Sequence, residues 1–138
     1  CIGKLNPSNN KKVVVNLHPD TDITITADKI HLINIIDNLL ENAVKYSRED
    51  VHIEIDYQEQ DNDSIRISVK DNGLGISKSD SRHIFEKFYR SRAVIDKGIP
   101  GMGLGLTYVR MLVEAHRGTI RIESEQTSGS TFIIELPQ

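Results

Sequence analysis

Two glycine-rich segments, Asp-Asn-Gly-Leu-Gly-Ile (71–76) and Gly-Met-Gly-Leu-Gly-Leu (101–106), constrain this chain more than any other feature. Six of its nine glycines lie between Gly73 and Gly105. A packed core has no use for glycine at this density, whereas a ligand that touches the backbone does, because glycine has no Cβ. The two segments therefore predict a ligand that contacts two backbone loops.

The composition is that of one globular domain. The 138 residues are close to the commonest domain size, and 38% hydrophobic residues suffice for a single core. The net charge of −3 disfavours nucleic acid as a general partner. No apolar run reaches membrane-spanning length, so we expect no direct membrane contact. The single cysteine, Cys1, favours a reducing compartment, and the missing initiator methionine predicts that residues 1–138 are one domain of a longer protein.

Hydrophobic periodicity predicts elements in the order ββαββ–loop–αββ. Asp28 is a suitable N-cap for the first helix, which we expect to run to about Tyr46. Strands are expected at 13–17, 23–26, 51–57, 65–69, 119–123 and 131–136, with turns or loops at 19–20, 58–64 and 128–129. A helical turn is expected at 84–89, little structure at 91–100, and a second long helix at 104–115. This order predicts an α/β (α+β) two-layer sandwich, with helices on one face of a mixed, mostly antiparallel sheet.

The first helix carries an unusual polar stripe. At 100° per residue, Asn38, Asn42, Lys45 and Tyr46 share one side, and the adjoining side is apolar. An ordinary solvated helix face is one interpretation. Asparagine is a mediocre helix former, however, and its carbonyl oxygen is a suitable ligand for Mg²⁺. The stripe is therefore also consistent with a cation ligand beside a phosphate contact.

The aspartate that opens the first glycine segment follows a strand. An ionised Asp71 carboxylate only accepts hydrogen bonds, and an adenine exocyclic amine is a matching donor. Gly73 and Gly75 would let the backbone approach a flat base. A tight turn is the alternative explanation, because Asp-Asn-Gly is common turn chemistry.

The second glycine segment leads directly into a helix, where backbone N–H groups can hold phosphate oxygens. It lacks the sixth-position glycine of a dinucleotide-binding fingerprint, since Leu106 stands there. It also lacks the Gly-Lys-Ser/Thr ending of a Walker loop. Residues 101–106 could therefore hold phosphate through their backbone N–H groups, but they match neither of these two motifs.

Five segments in order resemble the catalytic and ATP-binding domain of bacterial sensor histidine kinases, within the GHKL superfamily that includes gyrase, Hsp90 and MutL. The segment Asn-Leu-Leu-Glu-Asn-Ala-Val-Lys-Tyr-Ser (38–47) resembles the asparagine box, 71–76 and 101–106 resemble the two glycine boxes, Phe-Glu-Lys-Phe-Tyr-Arg (85–90) resembles the phenylalanine box, and 129–137 resembles the closing strand. The resemblance implies a Bergerat ATP-binding fold whose mobile ATP lid covers about 77–100.

The resemblance also implies roles for individual residues. It implies that Asn42 coordinates Mg²⁺, that Asn38 lies beside the phosphates, and that Asp71 accepts from the adenine amine. Arg90 is similar to the arginine that approaches the γ-phosphate, and it joins Asn38 and Lys45 as a catalytic residue. The implied set that binds Mg-ATP is completed by Tyr46, Gly73, Gly75, Ile76, Gly101, Gly103, Leu104, Gly105, Leu106 and Thr131. Phe85 and Phe88 are expected to anchor the lid.

The implied reaction is transfer of the γ-phosphate to a histidine. ATP-hydrolysing relatives carry a water-activating glutamate one turn before the metal asparagine, where this chain has Asn38, so we expect little hydrolysis. Glu41 projects some 100° away from Asn42 on the helix and is not expected to act as a base. None of the five histidines lies in a phosphoacceptor motif. The acceptor is therefore expected on a separate dimerisation domain.

The resemblance further implies a response regulator receiver domain as a partner, a monomeric isolated chain, and a cytoplasmic location within a protein anchored in the inner membrane. A serine kinase of the anti-sigma-factor type is the first alternative, and the Phe-x-x-Phe of Phe85 and Phe88 counts against it. A degenerate module that docks a partner without turning over ATP is the second.

Overall fold

The protein is described by a computed structural model at residues 11–18 and 22–138. Within these residues the strands are β1 (Val13–His18), β2 (Val51–Gln60), β3 (Ser64–Asp71), β4 (Thr119–Ser124) and β5 (Ser130–Pro137). The helices are α1 (Lys29–Lys45), α2 (Lys78–Ser81), α3 (Arg92–Asp96) and α4 (Gly105–Ala115).

The strands form one mixed sheet in the order β1-β2-β3-β5-β4. Only β1 and β2 pair in parallel, and the other pairs are antiparallel. The register sets Val69 opposite both Ile55 and Phe132, and the same face continues to Ile67 beside Ile134. Alternate side chains of neighbouring strands therefore share one apolar face.

The two long helices cover that face. Ile35 and Leu39 of α1 and Val109 and Val113 of α4 are almost completely buried, in one cluster with the apolar face of the sheet. The predicted two-layer sandwich with a mostly antiparallel sheet is confirmed. No helix in the described ranges is long and apolar enough to cross a membrane.

The start of α1 follows the sequence prediction. Asp28 is extended at φ −65° and ψ 119°, and its Oδ1 accepts from the His31 backbone N–H at 2.9 Å. This bond satisfies one of the first amides of the helix, which have no partner inside the helix. At the other end, Lys45 and Tyr46 close α1 toward the first glycine segment.

Three local predictions were wrong. Residues 23–26 form no strand, although Ile23 and Ile25 pack against the core. Strands β2 and β3 extend into the expected 58–64 loop and leave only residues 61–63 as the turn. The expected unstructured stretch 91–100 contains α3, whose N-cap Ser91 accepts from the Val94 amide. The Pro19-Asp20 turn lies outside the described residues.

The expected helical turn at 84–89 is a run of hydrogen-bonded turns instead of a helix. The Glu86 amide donates to the His83 carbonyl oxygen at 2.9 Å, and the Tyr89 amide donates to that of Glu86 at 3.2 Å. Each bond spans three residues, so the helical i→i−4 ladder does not form.

Candidate nucleotide-binding site

One cleft of about 330 Å³ opens between the C-terminal half of α1, the adjoining ends of β3 and β5, the segment 84–94 and the start of α4. Most of the predicted site residues line it: Asn38, Asn42, Lys45, Tyr46, Asp71, Gly75, Ile76, Arg90, Gly103, Leu104, Gly105 and Leu106. The fold thus brings together residues that are up to 68 positions apart in the sequence, from Asn38 to Leu106.

Asp71 lies at the end of the cleft where β3 stops. It continues the face of Ile67 and Val69, so its carboxylate points toward the helix layer. Its Oδ1 accepts from the Gly73 amide at 2.8 Å, and the backbone of Ser130 also bonds it. Burial nevertheless dominates these bonds and raises the pKa of Asp71 above its ordinary 3.8. Asp71 is a partly buried acceptor with capacity left for a ligand donor.

The first glycine segment is held between α1 and the β4–β5 turn. The Leu74 amide donates to the Tyr46 carbonyl oxygen at 3.0 Å, and the Thr127 amide donates to that of Leu74 at 2.7 Å. Gly75 has φ +68°, and a Cβ there would lie 2.0 Å from the Glu125 carbonyl oxygen. Only glycine fits at that position, because both the dihedral and the close backbone exclude a side chain.

The polar stripe of α1 forms one wall of the cleft. The Asn38 Nδ2 donates to the Asn34 carbonyl oxygen at 2.8 Å, so its Oδ1 faces the start of α4, 3.3 Å from where a Cβ of Gly105 would stand. The side-chain amide of Asn42 lines the cleft without a hydrogen bond to any described residue. Its Oδ1 is therefore available to a ligand.

Two cations, Lys45 and Arg90, line the cleft where it meets residues 99–101. Lys45 Nζ is 5.3 Å from the ring centroid of Tyr46. A Cβ on Gly101 would lie 2.3 Å from the same Nζ. The Arg90 guanidinium donates to the carbonyl oxygen of Ile99. Within residues 11–18 and 22–138, neither cation has a carboxylate oxygen within 4.0 Å. This part of the cleft therefore favours an anionic ligand.

Three predicted residues do not line the cleft. Gly73 and Gly101 lie directly beside it, against Asp71 and Lys45 respectively. Thr131 pairs with Lys70 on the opposite face of the sheet, where it lines a separate shallow depression. Side chains alternate along a strand, so the cleft receives the neighbours of Thr131 instead.

The sequence reasoning missed Ser130, which is 7% exposed, lines the cleft and pairs with Asp71 across the strands. The sequence pattern could have shown this, because Ser130 is two positions before the apolar Phe132 and side chains two apart on a strand share a face. The other unpredicted lining residues are Glu41, Leu74, Ile84, Tyr89, Ser91, Val94, Met102 and Phe132.

The two phenylalanines expected to anchor the lid differ. Phe85 packs against the core, whereas Phe88 is 66% exposed and its ring anchors nothing within the described residues. The backbone of Phe88 is held instead, because its amide donates to the Gly103 carbonyl oxygen at 3.0 Å. Phe88 also has φ +62°, which is rare for an aromatic residue.

On this sandwich, a cleft that combines a partly buried acceptor with two cations that have no carboxylate partner among the described residues is suited to a nucleotide. The sequence model of the histidine kinase-, DNA gyrase B- and HSP90-like ATPase family matches residues 27–138. The chain belongs to that family, and membership of this ATPase family implies ATP binding.

The similar proteins are sensor kinases. The chain is 40% identical over 129 residues to the sensor protein RprX of Bacteroides fragilis, covering 93% of this chain and 25% of RprX. It is 37% identical over 121 residues to the sensor histidine kinase WalK of Bacillus subtilis, covering 86% of this chain and 20% of WalK. The chain thus spans a quarter or less of these two relatives.

The fold is similar to that of solved histidine kinases. The mycobacterial sensor histidine kinase MprB superposes with a TM-score of 0.75 at 28% identity, covering 91% of this chain and 80% of that one. Full-length ShkA, solved in complex with AMPPNP, superposes with a TM-score of 0.76 at 29% identity, covering 93% and 26%. These findings confirm the predicted histidine kinase-type catalytic domain and do not favour the serine kinase alternative.

Proposed function

We propose that this domain holds Mg-ATP in the cleft and donates the γ-phosphate to a histidine on a separate dimerisation domain of the same protein. A response regulator receiver domain would then accept the phosphate. The observation that carries the proposal is that one cleft contains both a carboxylate acceptor and two cations. The partly buried Asp71 suits the amine of adenine, and Lys45 and Arg90, which have no carboxylate partner among the described residues, suit a polyphosphate.

The residues of the α1 stripe fit a magnesium ion that arrives with the nucleotide. Asn42 offers its side-chain Oδ1, which accepts from no described residue, and such an oxygen is the ligand type that Mg²⁺ takes alongside water and substrate phosphates. The described residues contain no cluster of three or more His, Cys, Asp or Glu side chains that could hold a metal. When bound, the ion would neutralise charge on the phosphate oxygens.

In the proposed reaction an imidazole nitrogen of the partner histidine attacks the γ-phosphorus. The N–P bond forms as the bond from the γ-phosphorus to the bridging oxygen breaks, ADP leaves with the electron pair, and the imidazole loses its other N–H proton. Lys45 and Arg90 would neutralise the developing charge. None of the described histidines lines the cleft, in keeping with an acceptor supplied from outside this domain.

The polar stripe of α1 favours transfer to histidine over transfer to water. Asn38 stands one turn before Asn42, and an amide cannot take the proton of an attacking water. Glu41 does line the cleft, but it is exposed and makes no ion pair within the described ranges. We further propose that the isolated chain is monomeric, and that it is the cytoplasmic part of a protein anchored in the inner membrane.

Replacing Arg90 by glutamine tests the phosphate end. We expect about a ten- to hundredfold loss of affinity for a non-hydrolysable ATP analogue, because a charge-assisted hydrogen bond contributes roughly 1.5–3 kcal/mol. Calorimetric titration measures the loss, and phosphate transfer from Mg-ATP to the separately purified histidine domain measures the activity. Arg92→Gln is the matched control, because this lid arginine is exposed and lies outside the cleft. Equal effects of the two variants would contradict the assignment, and a folded chain that binds no nucleotide would favour a docking module.

Replacing each of the two neighbouring hydroxyl residues of β5 by alanine tests the part of the cleft beside Asp71, where the adenine base is proposed to bind. We propose that Ser130, rather than the predicted Thr131, contributes to nucleotide binding, because only Ser130 lines the cleft beside Asp71. Ser130→Ala should weaken Mg-ADP binding by roughly three- to tenfold, the effect of one neutral hydrogen bond. Thr131→Ala should leave it unchanged. Calorimetry on both variants decides, and the reverse order of effects would remove Ser130 from the site.

A further inference from the structure

A small hydroxyl–carboxylate network lies at the lid side of the cleft, and the proposed reaction does not use it. The Asp80 carboxylate accepts from Ser77 Oγ at 2.6 Å through Oδ2, and it accepts from the Tyr89 hydroxyl through Oδ1. Ser77 Oγ also caps α2 by accepting from the Asp80 amide at 3.1 Å. The two hydroxyls lower the pKa of Asp80, Ser77 most of all, and Asp80 raises the pKa of Tyr89 to about 12. The network is therefore intact at neutral pH.

Tyr89 connects this network to the phosphate end of the cleft. Its side chain lines the cleft, and the next residue in the chain is Arg90. Its carbonyl oxygen lies 2.6 Å from where a Cβ of Gly103 would stand, and the Phe88 amide donates to the Gly103 carbonyl oxygen. Residues 88–90 therefore form a bridge that contacts Asp80 on one side and the second glycine segment on the other.

The backbone of this bridge is strained. Phe88 adopts φ +62° although its ring is mostly exposed, so packing of its own side chain does not explain the conformation. Such dihedrals persist only where the surroundings impose them. The described contacts that impose this one are the Gly103 bond on one side and the Tyr89–Asp80 bond on the other.

We propose that the Tyr89–Asp80 hydrogen bond is a latch that positions Arg90 at the phosphate end of the cleft. Tyr89 is then a positioning residue that acts through Arg90. This inference rests on the proposed function of the cleft and deepens it. Breaking the latch should loosen residues 88–90 but leave the base end alone, because Asp71 and the first glycine segment are held by α1 and the β4–β5 turn.

Tyr89→Phe removes the hydroxyl and keeps the ring, which His83 also contacts at a centroid distance of 5.3 Å. The variant should lose about five- to tenfold in affinity for the ATP analogue AMP-PNP, less for ADP, and nothing for adenosine. Asp80→Ala should give the same graded pattern, and the double variant should be no weaker than either single one, since both break one bond. Calorimetric titration of the three ligands into each variant measures this.

One control variant and two contrary outcomes make the result decisive. Ser77→Ala removes the cap of α2 and leaves the Tyr89–Asp80 bond, so it should bind all three ligands normally. Equal weakening for all three ligands in Tyr89→Phe would overturn the latch in favour of a general loss of structure. Additive effects of Tyr89→Phe and Asp80→Ala would overturn it in favour of a direct contact between Tyr89 and the nucleotide.

The unmodified chain and Arg90→Gln are titrated in the same series. If the unmodified chain binds none of the ligands, the proposed function and the latch both fall. If it binds AMP-PNP and Arg90→Gln is weakened while Tyr89→Phe binds normally, only the latch falls.

Discussion

Asp71→Asn is expected to weaken the binding of Mg-ADP by about ten- to a hundredfold, because the substitution replaces a charged acceptor with an amide that offers a donor to the adenine amine. A buried mismatch of this kind costs roughly 1.5–3 kcal/mol. Calorimetric titration of both chains measures the loss. Asp56→Asn is the control, since Asp56 is a strand aspartate outside the cleft. A variant that binds as tightly as the parent would remove Asp71 from the base end.

The same carboxylate predicts how binding depends on pH. Burial raises the pKa of Asp71, so it becomes protonated at a higher pH than an ordinary aspartate as the solution is acidified. Protonation removes the charged acceptor, and nucleotide affinity should therefore fall as the pH drops through this raised pKa. Above that pKa the partly buried carboxylate is charged, which opposes folding. As the pH drops through the raised pKa this penalty is removed, so the contribution of Asp71 to the free energy of unfolding increases.

Binding and stability should thus respond to Asp71 in opposite directions, which separates the loss of a contact from acid unfolding. Affinity titrations and denaturant unfolding at a series of pH values, from neutral to mildly acidic, measure the two curves. The acid step in affinity should be absent from Asp71→Asn. If the variant retains the step, another group is responsible for it.

Gly129→Ala is expected to destabilise the fold strongly. Gly129 has φ +82°, and a Cβ there would stand 2.0 Å from the Asp71 carbonyl oxygen and 3.1 Å from the Asn72 Cα. These are backbone atoms, so no side-chain rotation relieves the clash. Backbone strain of about 1–2 kcal/mol and overpacking of about 1–3 kcal/mol predict a total loss of roughly 2–5 kcal/mol. Denaturant unfolding measures it.

Gly98→Ala is the matched control for that experiment. Gly98 has a similar φ of +65°, but a Cβ there would meet nothing within 4 Å. Its substitution should cost only the backbone strain, about 1–2 kcal/mol. Gly129→Ala should also lose nucleotide affinity, because the clash displaces the paired ends of β3 and β5, which carry Asp71 and Ser130 respectively. Equal losses of stability in the two variants would show that the close approach at Gly129 is relieved elsewhere.

Local chemistry determined much of this domain. The N-cap Asp28, the apolar stripe of α1 and the alternating residues of β2 and β3 each act within a few residues, so the sequence alone predicted these elements. The polar stripe and the two glycine segments likewise predicted the walls of the cleft. Residues one helical turn apart must share a face whatever the rest of the chain does.

Contacts between distant residues decided the rest. Residues 23–26 have the pattern of a strand, but they form none, and Ile23 and Ile25 only pack against the core. Helix α3 forms in a stretch with so few apolar residues that the sequence predicted no element there. The Phe-x-x-Phe pattern cannot show that Phe88 is exposed, because the backbone bond to Gly103 sets its conformation. The latch from Tyr89 to Asp80 joins side chains nine positions apart through a turn that periodicity does not describe.

Two neighbouring residues beside Asp71 show what the sequence determined and what the tertiary structure decided. The sequence by itself determined that an aspartate ends one strand and that two hydroxyl residues begin another. Only the register of β3 against β5 decided that Ser130 shares the cleft with Asp71 while Thr131 faces away. Burial by the helix layer then raised the pKa of Asp71. Strand pairing and burial depend on segments about 60 residues apart, and no local pattern contains them.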